Sequence, residues 1–515
     1  MKKMDAIVIG AGNGGLTAAA FLAKEGKKTL LVERHNLPGG FATSFKRGRF
    51  EFEASLHELC GFGKNPGQGD VRKIFESLGI ADKIEWADIP AAYRMITLDD
   101  KKTTDASMPF GIDAYIDKME EYVPGSKPSM KKLFDLAEEI QKTTEFFGSL
   151  KGNYTANAVK EILKNHMNFV RTAGYSVNDV LVALKVPKSA RDIFKAYWCY
   201  LGVDCDEASF IHYISMIRLY LAYGAVIPKA RSHEMSSAIL DAFEGLGGEV
   251  WFNAHVEKIN LENGRANSIT LQDGTKVYAD HIICNTSPHN VFGKMIDQMD
   301  VPDYELRRAN ARKLGARGLS VFLGMNKSAE ELGIEDHSYF IYNTVDSKKQ
   351  YELMQKIETN DVLAAVCLNK ADPDCSPEGT SILYFTTLYT DDAFREIKPE
   401  DYFKTKQFIA ERMIMNFEKA LGIKIRDSIE EIEVATPMTY ARYTDTPQGA
   451  IYGYEAQAWD GIVPRIMMES MEESIPGLRF AGGFGTQLSG YSATIASGRN
   501  MAYKTLSDME KEAEQ

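Results

Sequence analysis

Near the start of the chain the run Gly10-Ala11-Gly12-Asn13-Gly14-Gly15 follows an apolar stretch, Ala6 to Ile9, and leads into the small-residue stretch Leu16 to Leu22. A strand that turns sharply into a helix and lets its backbone approach a bulky anion needs glycines at this spacing, with the helix N-terminus facing the phosphates. A second apolar run, Thr29 to Val32, ends on Glu33, an acid placed to accept from ribose hydroxyls. A glycine turn by itself says little. Strand, turn, helix, second strand and acid in this order predict a dinucleotide site.

The remaining sequence bounds what such a site can serve. At 515 residues the chain exceeds the roughly 250 to 300 at which a single core stops growing, which predicts two domains. The net charge of −12 is spread without a basic block, which speaks against nucleic acid and for a small-molecule partner. Cys60, Cys199, Cys205, Cys284, Cys367 and Cys375 show neither C-x-x-C nor metal-ligand spacing. They read as reduced thiols of a cytoplasmic protein without a metal site. The first strand begins too early to leave room for a signal peptide. Phe210 to Ile227 is apolar, but His212 and Arg218 interrupt it and Gly224 and Pro228 close it. It reads as a core helix rather than a membrane span, with peripheral membrane contact by a monolayer-dipping helix as the alternative.

Periodicity predicts helices at Val71 to Leu78, Lys131 to Leu150, Ser236 to Phe243 and Tyr402 to Leu421. Strands are expected at Arg94 to Leu98, Glu249 to Asn253, His255 to Leu261, Ala266 to Leu271, Val277 to Tyr278, His281 to Cys284, Leu319 to Leu323 and Ser381 to Thr387. The charged tail after Lys504 is expected to fray. Pro38-Gly39-Gly40-Phe41 sits where the chain would turn back across a cofactor, and Phe50 to His57 alternates as a strand before a loop. Late in the chain Leu478 to Ala481 reads as a short buried strand and Gly482-Gly483 as a loop. Gly490-Tyr491-Ser492-Ala493 starts a last helix, whose N–H groups form a positive pole.

These stretches form an ordered series with Gly247-Gly248-Glu249-Val250, Ala254-His255-Val256, Asn285-Thr286-Ser287-Pro288-His289, Asp372-Pro373, Pro377-Glu378-Gly379, Ala435-Thr436-Pro437, Arg442-Tyr443, Gly449 to Gly453 and Ser497-Gly498-Arg499. The series resembles the FAD-dependent phytoene desaturase, carotenoid isomerase and retinol saturase family, of the flavin amine-oxidase-like fold. The form Phe52-Glu53-Ala54-Ser55-Leu56-His57 is most similar to the retinol saturase branch. The resemblance implies an α/β protein with a Rossmann-like FAD-binding domain of the amine-oxidase type, interleaved with a mixed-sheet-plus-helices substrate domain. The FAD-binding parts would be 1–85, 223–295 and 465–515, and the substrate parts 86–222 and 296–464.

By the same resemblance Gly10, Ala11, Gly12, Asn13, Gly14 and Gly15 would cradle the pyrophosphate and Glu33 would hold the ribose. Gly39 and Gly40 would pass near the pyrophosphate, and Val256 would meet adenine. Gly482, Gly483, Gly490, Tyr491, Ser492 and Ala493 would approach phosphate and flavin, and Ser55, Leu56 and His57 would reach the ring. Phe41 stands where many relatives carry arginine, which leaves charge neutralisation to backbone dipoles and Arg34. Ser55 replaces a usual glycine.

With hydride chemistry supplied by FAD, the protein must position a carbon–carbon bond and handle a proton. His57, with a pKa settable near neutral, Tyr440 and Tyr454 as relays, and Arg442 as an anion or carbonyl anchor are the candidates. With no second glycine turn after a strand, electrons would be exchanged with an external NAD(P)H, quinone or protein carrier. The expected activity is saturation, desaturation or isomerisation of an apolar isoprenoid or fatty acid. Oxidation of an amine or other polar molecule, and non-catalytic binding of prenyl or lipid groups, are the alternatives.

Overall fold

The structure, a computed structural model, describes residues 3–98, 104–150, 156–461, 464–465, 473–485 and 490–514. Its first sheet runs in the order Glu249–Trp251, Thr29–Val32, Lys3–Ile9, Lys276–Cys284, Arg265–Leu271, Val256–Glu262, and Leu478–Phe480 also pairs with Lys276–Cys284. Glu249–Trp251, Thr29–Val32, Lys3–Ile9, Lys276–Cys284 and Leu478–Phe480 pair in parallel, and Arg265–Leu271 is antiparallel to both its neighbours. Parallel strands are covered on both faces, so they are written as unbroken apolar runs, and Thr29–Val32 is buried at every position.

The helix Asn13–Lys24 follows the glycine turn and packs against Tyr491–Ala513. A Cβ at Gly498 would stand 2.2 Å from the Gly14 carbonyl oxygen. The two helices therefore cross with their backbones nearly touching, and the two ends of the chain meet at the turn.

The second sheet takes Ile429–Ala435, Arg317–Met325, Ser381–Tyr389, Leu363–Cys367, Ser338–Tyr342, Tyr93–Thr97 and Asp105–Met108 in that order. It is antiparallel except where Ser338–Tyr342 meets Tyr93–Thr97. Alternation divides its residues between two faces. Leu319, Val321, Leu323, Leu383 and Phe385 share a core with Ile409, Met413 and Phe417 of the helix Tyr402–Leu421. Phe322 and Tyr384 belong to the opposite core, with the helices of the middle segment. Ser320, Tyr384 and Thr386 line a cavity on that side.

Three expectations differ from the structure. Val277 to Tyr278 and His281 to Cys284 form one strand, Lys276–Cys284. Ala279 and Asp280 keep the in-out alternation, and exposed Asp280 pairs with Lys3 at 3.0 Å. The strand from Phe50 ends at Glu53, whose carboxylate turns back to accept the Leu56 N–H at 3.2 Å. The tail does not fray, since the last helix continues to Ala513. Arg265 holds Glu512 at 2.8 Å, and Arg479 pairs with Asp508, so ion pairs to the first sheet fix the final turns. The helix Phe210–Tyr223 is a core helix, with nine of its side chains buried, and Arg218 pairs with Glu138 at 2.8 Å. Among the described residues no helix is long and apolar enough to cross a membrane.

Candidate active site

A cavity of about 980 Å3 extends from the glycine turn to the inner face of the second sheet. At its first end Gly10 has φ +95°, and a Cβ on Gly15 would lie 1.9 Å from the Gly10 carbonyl oxygen. A Cβ on Gly14 would lie 2.7 Å from the Gly482 backbone. No side chain caps the helix at Gly12, so the N–H groups of its first turn are left for a ligand. Asn13 Oδ1 is buried and unpartnered.

The Glu33 carboxylate accepts the Ala11 N–H at 2.7 Å and the His35 N–H at 2.8 Å, and its remaining lone pairs are free to accept from a diol. Gly39 donates its N–H to Ala11 O at 2.7 Å and pairs with Gly12, which lays the Gly39-Gly40 turn beside the glycine turn. At φ +113°, with a Cβ only 2.1 Å from Ala42 O, position 39 accepts glycine alone.

Glu53 braces this arrangement by accepting from the Ser232 N–H at 2.7 Å and hydroxyl at 2.6 Å. Ser236 donates to Ala42 O at 2.9 Å. The start of the helix Ser232–Gly245 thereby holds the segment between Gly39 and Ser55.

At the other end, the helix Tyr491–Ala513 also begins without a side-chain cap, at Gly490 with φ +102°. The Tyr491 hydroxyl donates to Phe41 O at 2.9 Å and lies 2.9 Å from Ser55 Oγ, and Ser492 donates to Cys60 O at 2.6 Å. His57 Nε2 lies 3.1 Å from Thr386 Oγ1, and the ring stands edge-on to Tyr384 at 4.6 Å. Tyr440 donates to Ser320 Oγ at 2.8 Å, and its ring packs on Phe41. One face of the helix Phe210–Tyr223, carrying His212, Ser215, Met216, Leu219 and Tyr220, closes the far wall.

The cavity is lined by Gly10, Gly12, Asn13, Gly14, Glu33, Arg34, Gly39, Gly40, Phe41, Ser55, Leu56, His57, Val256, Tyr440, Gly483, Gly490, Tyr491, Ser492 and Ala493. Ala11, Gly15 and Gly482 stand behind its wall, where they let the turn close and the helices approach.

Two catalytic candidates fall elsewhere. Arg442 is exposed and off the cavity, and its carbonyl accepts from Arg34 at 2.8 Å. Tyr454 is buried behind the wall between Arg312, Phe484 and His289. The chain bends through 451–453, so the two tyrosines do not share a face, and Tyr452 is the tyrosine that reaches the cavity. The expectation that His57 titrates near neutral is also corrected. Burial pushes its pKa down to about 4, so its imidazole is neutral at pH 7.

Sequence reasoning missed Glu58, Tyr384 and Thr386, and gave Asn285 a place in the motif series but no role. Asn285 fills the space that side chains at Gly12, Gly14 and Gly482 would occupy. Tyr384 and Thr386 were legible as the inward register of an alternating strand. Tyr200 falls in the aromatic stretch between Tyr197 and Tyr223 that reads as a pocket lining, and comes from the short helical turn Lys195–Tyr200.

Comparison with known proteins agrees with this geometry. The model of flavin containing amine oxidoreductase matches residues 14–503. The all-trans-retinol 13,14-reductase of Danio rerio is 26% identical over 477 residues, 87% of this chain and 77% of that protein. The chloroplastic prolycopene isomerase 2 of an Oncidium hybrid is 24% identical, over 88% and 75% of the two chains. Among solved structures, putrescine oxidase bound to putrescine aligns with a TM-score of 0.62 at 15% identity, over 98% of this chain and 99% of that one. Cyclohexylamine oxidase from Brevibacterium oxydans gives 0.62 at 15%, over 99% and 100%. At that identity the structural likeness establishes the fold. The glycine cradle, the two uncapped helix starts and the orphaned Asn13 oxygen fit FAD as the cofactor.

Proposed function

The chain belongs to the flavin containing amine oxidoreductase family, an FAD-dependent oxidoreductase by that membership, and we propose that it acts on the C=C bonds of an apolar polyene of the retinoid or carotenoid kind. The relatives named for retinol reduction and prolycopene isomerisation support this choice of bond. The observation that carries it is the chemistry of the wall beyond the flavin end. Tyr200, Tyr220, Tyr384, Tyr440 and Tyr452, with Met216 and Leu219, make a long apolar and aromatic surface suited to a flat conjugated chain.

FAD supplies hydride transfer at its ring, and the protein supplies position and proton handling. We assign Gly10 to Gly14, Gly39 and Gly40 to the pyrophosphate, Glu33 to the ribose and the Val256 backbone to adenine. The N–H groups of Tyr491 to Ala493 would stabilise negative charge on the reduced ring. The Ser55–Tyr491–Phe41 bonds lock the segment that passes the ring, and the tyrosine wall gives the substrate end an aromatic lining. His57, neutral and held by Thr386, orients the reacting region as a hydrogen-bonding group rather than as a cation. Electrons reach or leave the site through an external NAD(P)H, quinone or protein carrier.

An amine substrate would call for an ionised carboxylate or an anion anchor at this end. Arg442 is absent from the cavity, and the carboxyl beside His57, Glu58, is raised by burial to about 8.

The deciding experiment incubates reduced, FAD-loaded protein without oxygen with all-trans-retinol, carotenoids, unsaturated fatty acids and diamines, followed by mass analysis. A gain of two hydrogens, or unchanged mass with altered retention, on a polyene supports the proposal. Turnover of amines alone contradicts it, and a colourless protein that takes up no FAD contradicts any flavoenzyme reading.

A further inference from the structure

Glu58 follows His57 on the loop that enters the short strand Leu59–Cys60. It is 6% exposed and lines the cavity. Its Oε1 accepts the Tyr200 hydroxyl at 2.9 Å, and the same hydroxyl stands 3.5 Å from His57 Nδ1. Its Oε2 is buried with no partner. An ionised carboxylate would not be left with one oxygen bare in an apolar wall, whereas an un-ionised carboxyl is tolerated there and carries a proton it can give up.

We propose that Glu58 is the proton donor to the substrate double bond, with Tyr200 as the residue that positions it. This rests on the reading of the cavity as a site for C=C chemistry.

The surroundings single out Glu58 for the role. Burial raises it to about 8, partly offset by the Tyr200 hydrogen bond and by the nearby Tyr197 hydroxyl, which itself donates to Ala92 O, and no cation is among its electrostatic neighbours in the described residues. Every other titratable group facing it is unsuited to supply a proton at neutral pH. His57 is held at about 4 and is already neutral. Burial raises Cys60 to about 11 and Cys199 to about 12, and carries Tyr197, Tyr200 and Tyr220 well above their usual range.

In a reduction, bound FAD would supply the hydride for one C–H bond, and the π pair would take the Glu58 proton to form the second. The O–H bond of Glu58 breaks, and the carboxylate left behind, stabilised by the Tyr200 hydroxyl, regains a proton from water entering the cavity. The two electrons would be supplied by bound FAD and restored to it by an external donor of the NAD(P)H, quinol or reduced-protein class.

The test compares full-length, FAD-loaded wild type, Glu58→Gln and Glu58→Asp with all-trans-retinol as the probe. Glu58→Gln should retain flavin content and spectrum yet lose at least about a hundredfold in turnover at pH 7, with Glu58→Asp recovering part of it. Wild-type turnover should fall as pH rises past about 8, and that limb should be missing from the glutamine variant. Infrared spectra of the resting protein at pH 7 should show an un-ionised carboxyl band that Glu58→Gln removes, whatever substrate is used. Wild-type turnover and pH profile in Glu58→Gln, or no carboxyl band lost from an active enzyme, would overturn the assignment of Glu58 alone. A wild type that transforms no polyene overturns the C=C reading and with it the donor role, even if the infrared band is present.

Discussion

Replacing Glu58 by glutamine should stabilise the protein, and by an amount that grows with pH. The folded chain keeps the Glu58 proton up to about 8, whereas an ordinary glutamate releases it at 4.5. Between those values the unfolded state gains stability that the folded state does not, so folding is penalised progressively as pH rises and the penalty levels off above the folded value. At 1.36 kcal/mol per unit, it comes to about 1 kcal/mol at pH 5 and about 3 kcal/mol at pH 7. Glutamine keeps the shape and carries no penalty. His57, depressed to about 4, works in the opposite direction. Its contribution is lost as pH falls from its ordinary 6.5 towards 4, equally in both proteins, so it cancels in the comparison. Unfolding 515 residues carries an entropy of about 1 kcal/mol/K, so the midpoint advantage of Glu58→Gln should widen by about 2 °C between pH 5 and pH 7. Thermal scans at one rate and with saturating FAD read this directly. The same offset at both pH values would mean that Glu58 ionises like a surface carboxylate, and the reasoning from burial would fail.

Other substitutions probe the cofactor cradle and the corrected residues. Glu33→Ala should weaken FAD retention by roughly 1 to 3 kcal/mol through lost charged hydrogen bonds, and full flavin occupancy at dilute FAD would contradict the ribose assignment. Gly14→Ala places a Cβ 2.7 Å from the backbone of Gly482, so ultrafiltration should strip flavin from it far more readily than from wild type. Arg442→Ala should leave kcat and KM within about twofold, as expected of an exposed side chain, whereas Tyr440→Phe should alter turnover by removing the donor to Ser320. A large loss in the arginine variant would restore it as an anchor.

How much of this was legible follows from the range of the physics involved. The glycine turn, Glu33 and the Gly39-Gly40 return are local solutions to backbone geometry, and a strand-turn-helix leaves its signature within a few residues. Tyr402–Leu421 was read to its ends because one amphipathic face packs on one sheet. The reactive end is built otherwise. His57, Tyr200, Thr386 and Tyr440 come from four distant parts of the chain and meet only through sheet register and helix packing. Position 454 misled because five residues, Ala450 to Tyr454, are set against four, Leu314 to Arg317, and the bend at 451–453 that takes up the extra residue turns that ring away and Tyr452 inward. The fraying expected after Lys504 ignored ion pairs that only the fold creates.

The central claim is that reduced flavin in this cavity passes its electrons to a carbon–carbon double bond. Mixing the anaerobically reduced protein with all-trans-retinol in a stopped-flow spectrometer tests it most directly. The account predicts return of the oxidised-flavin absorbance together with a retinoid product heavier by two hydrogens. Flavin that stays reduced in the presence of retinol and carotenoids, with no product of altered mass or geometry, would contradict it.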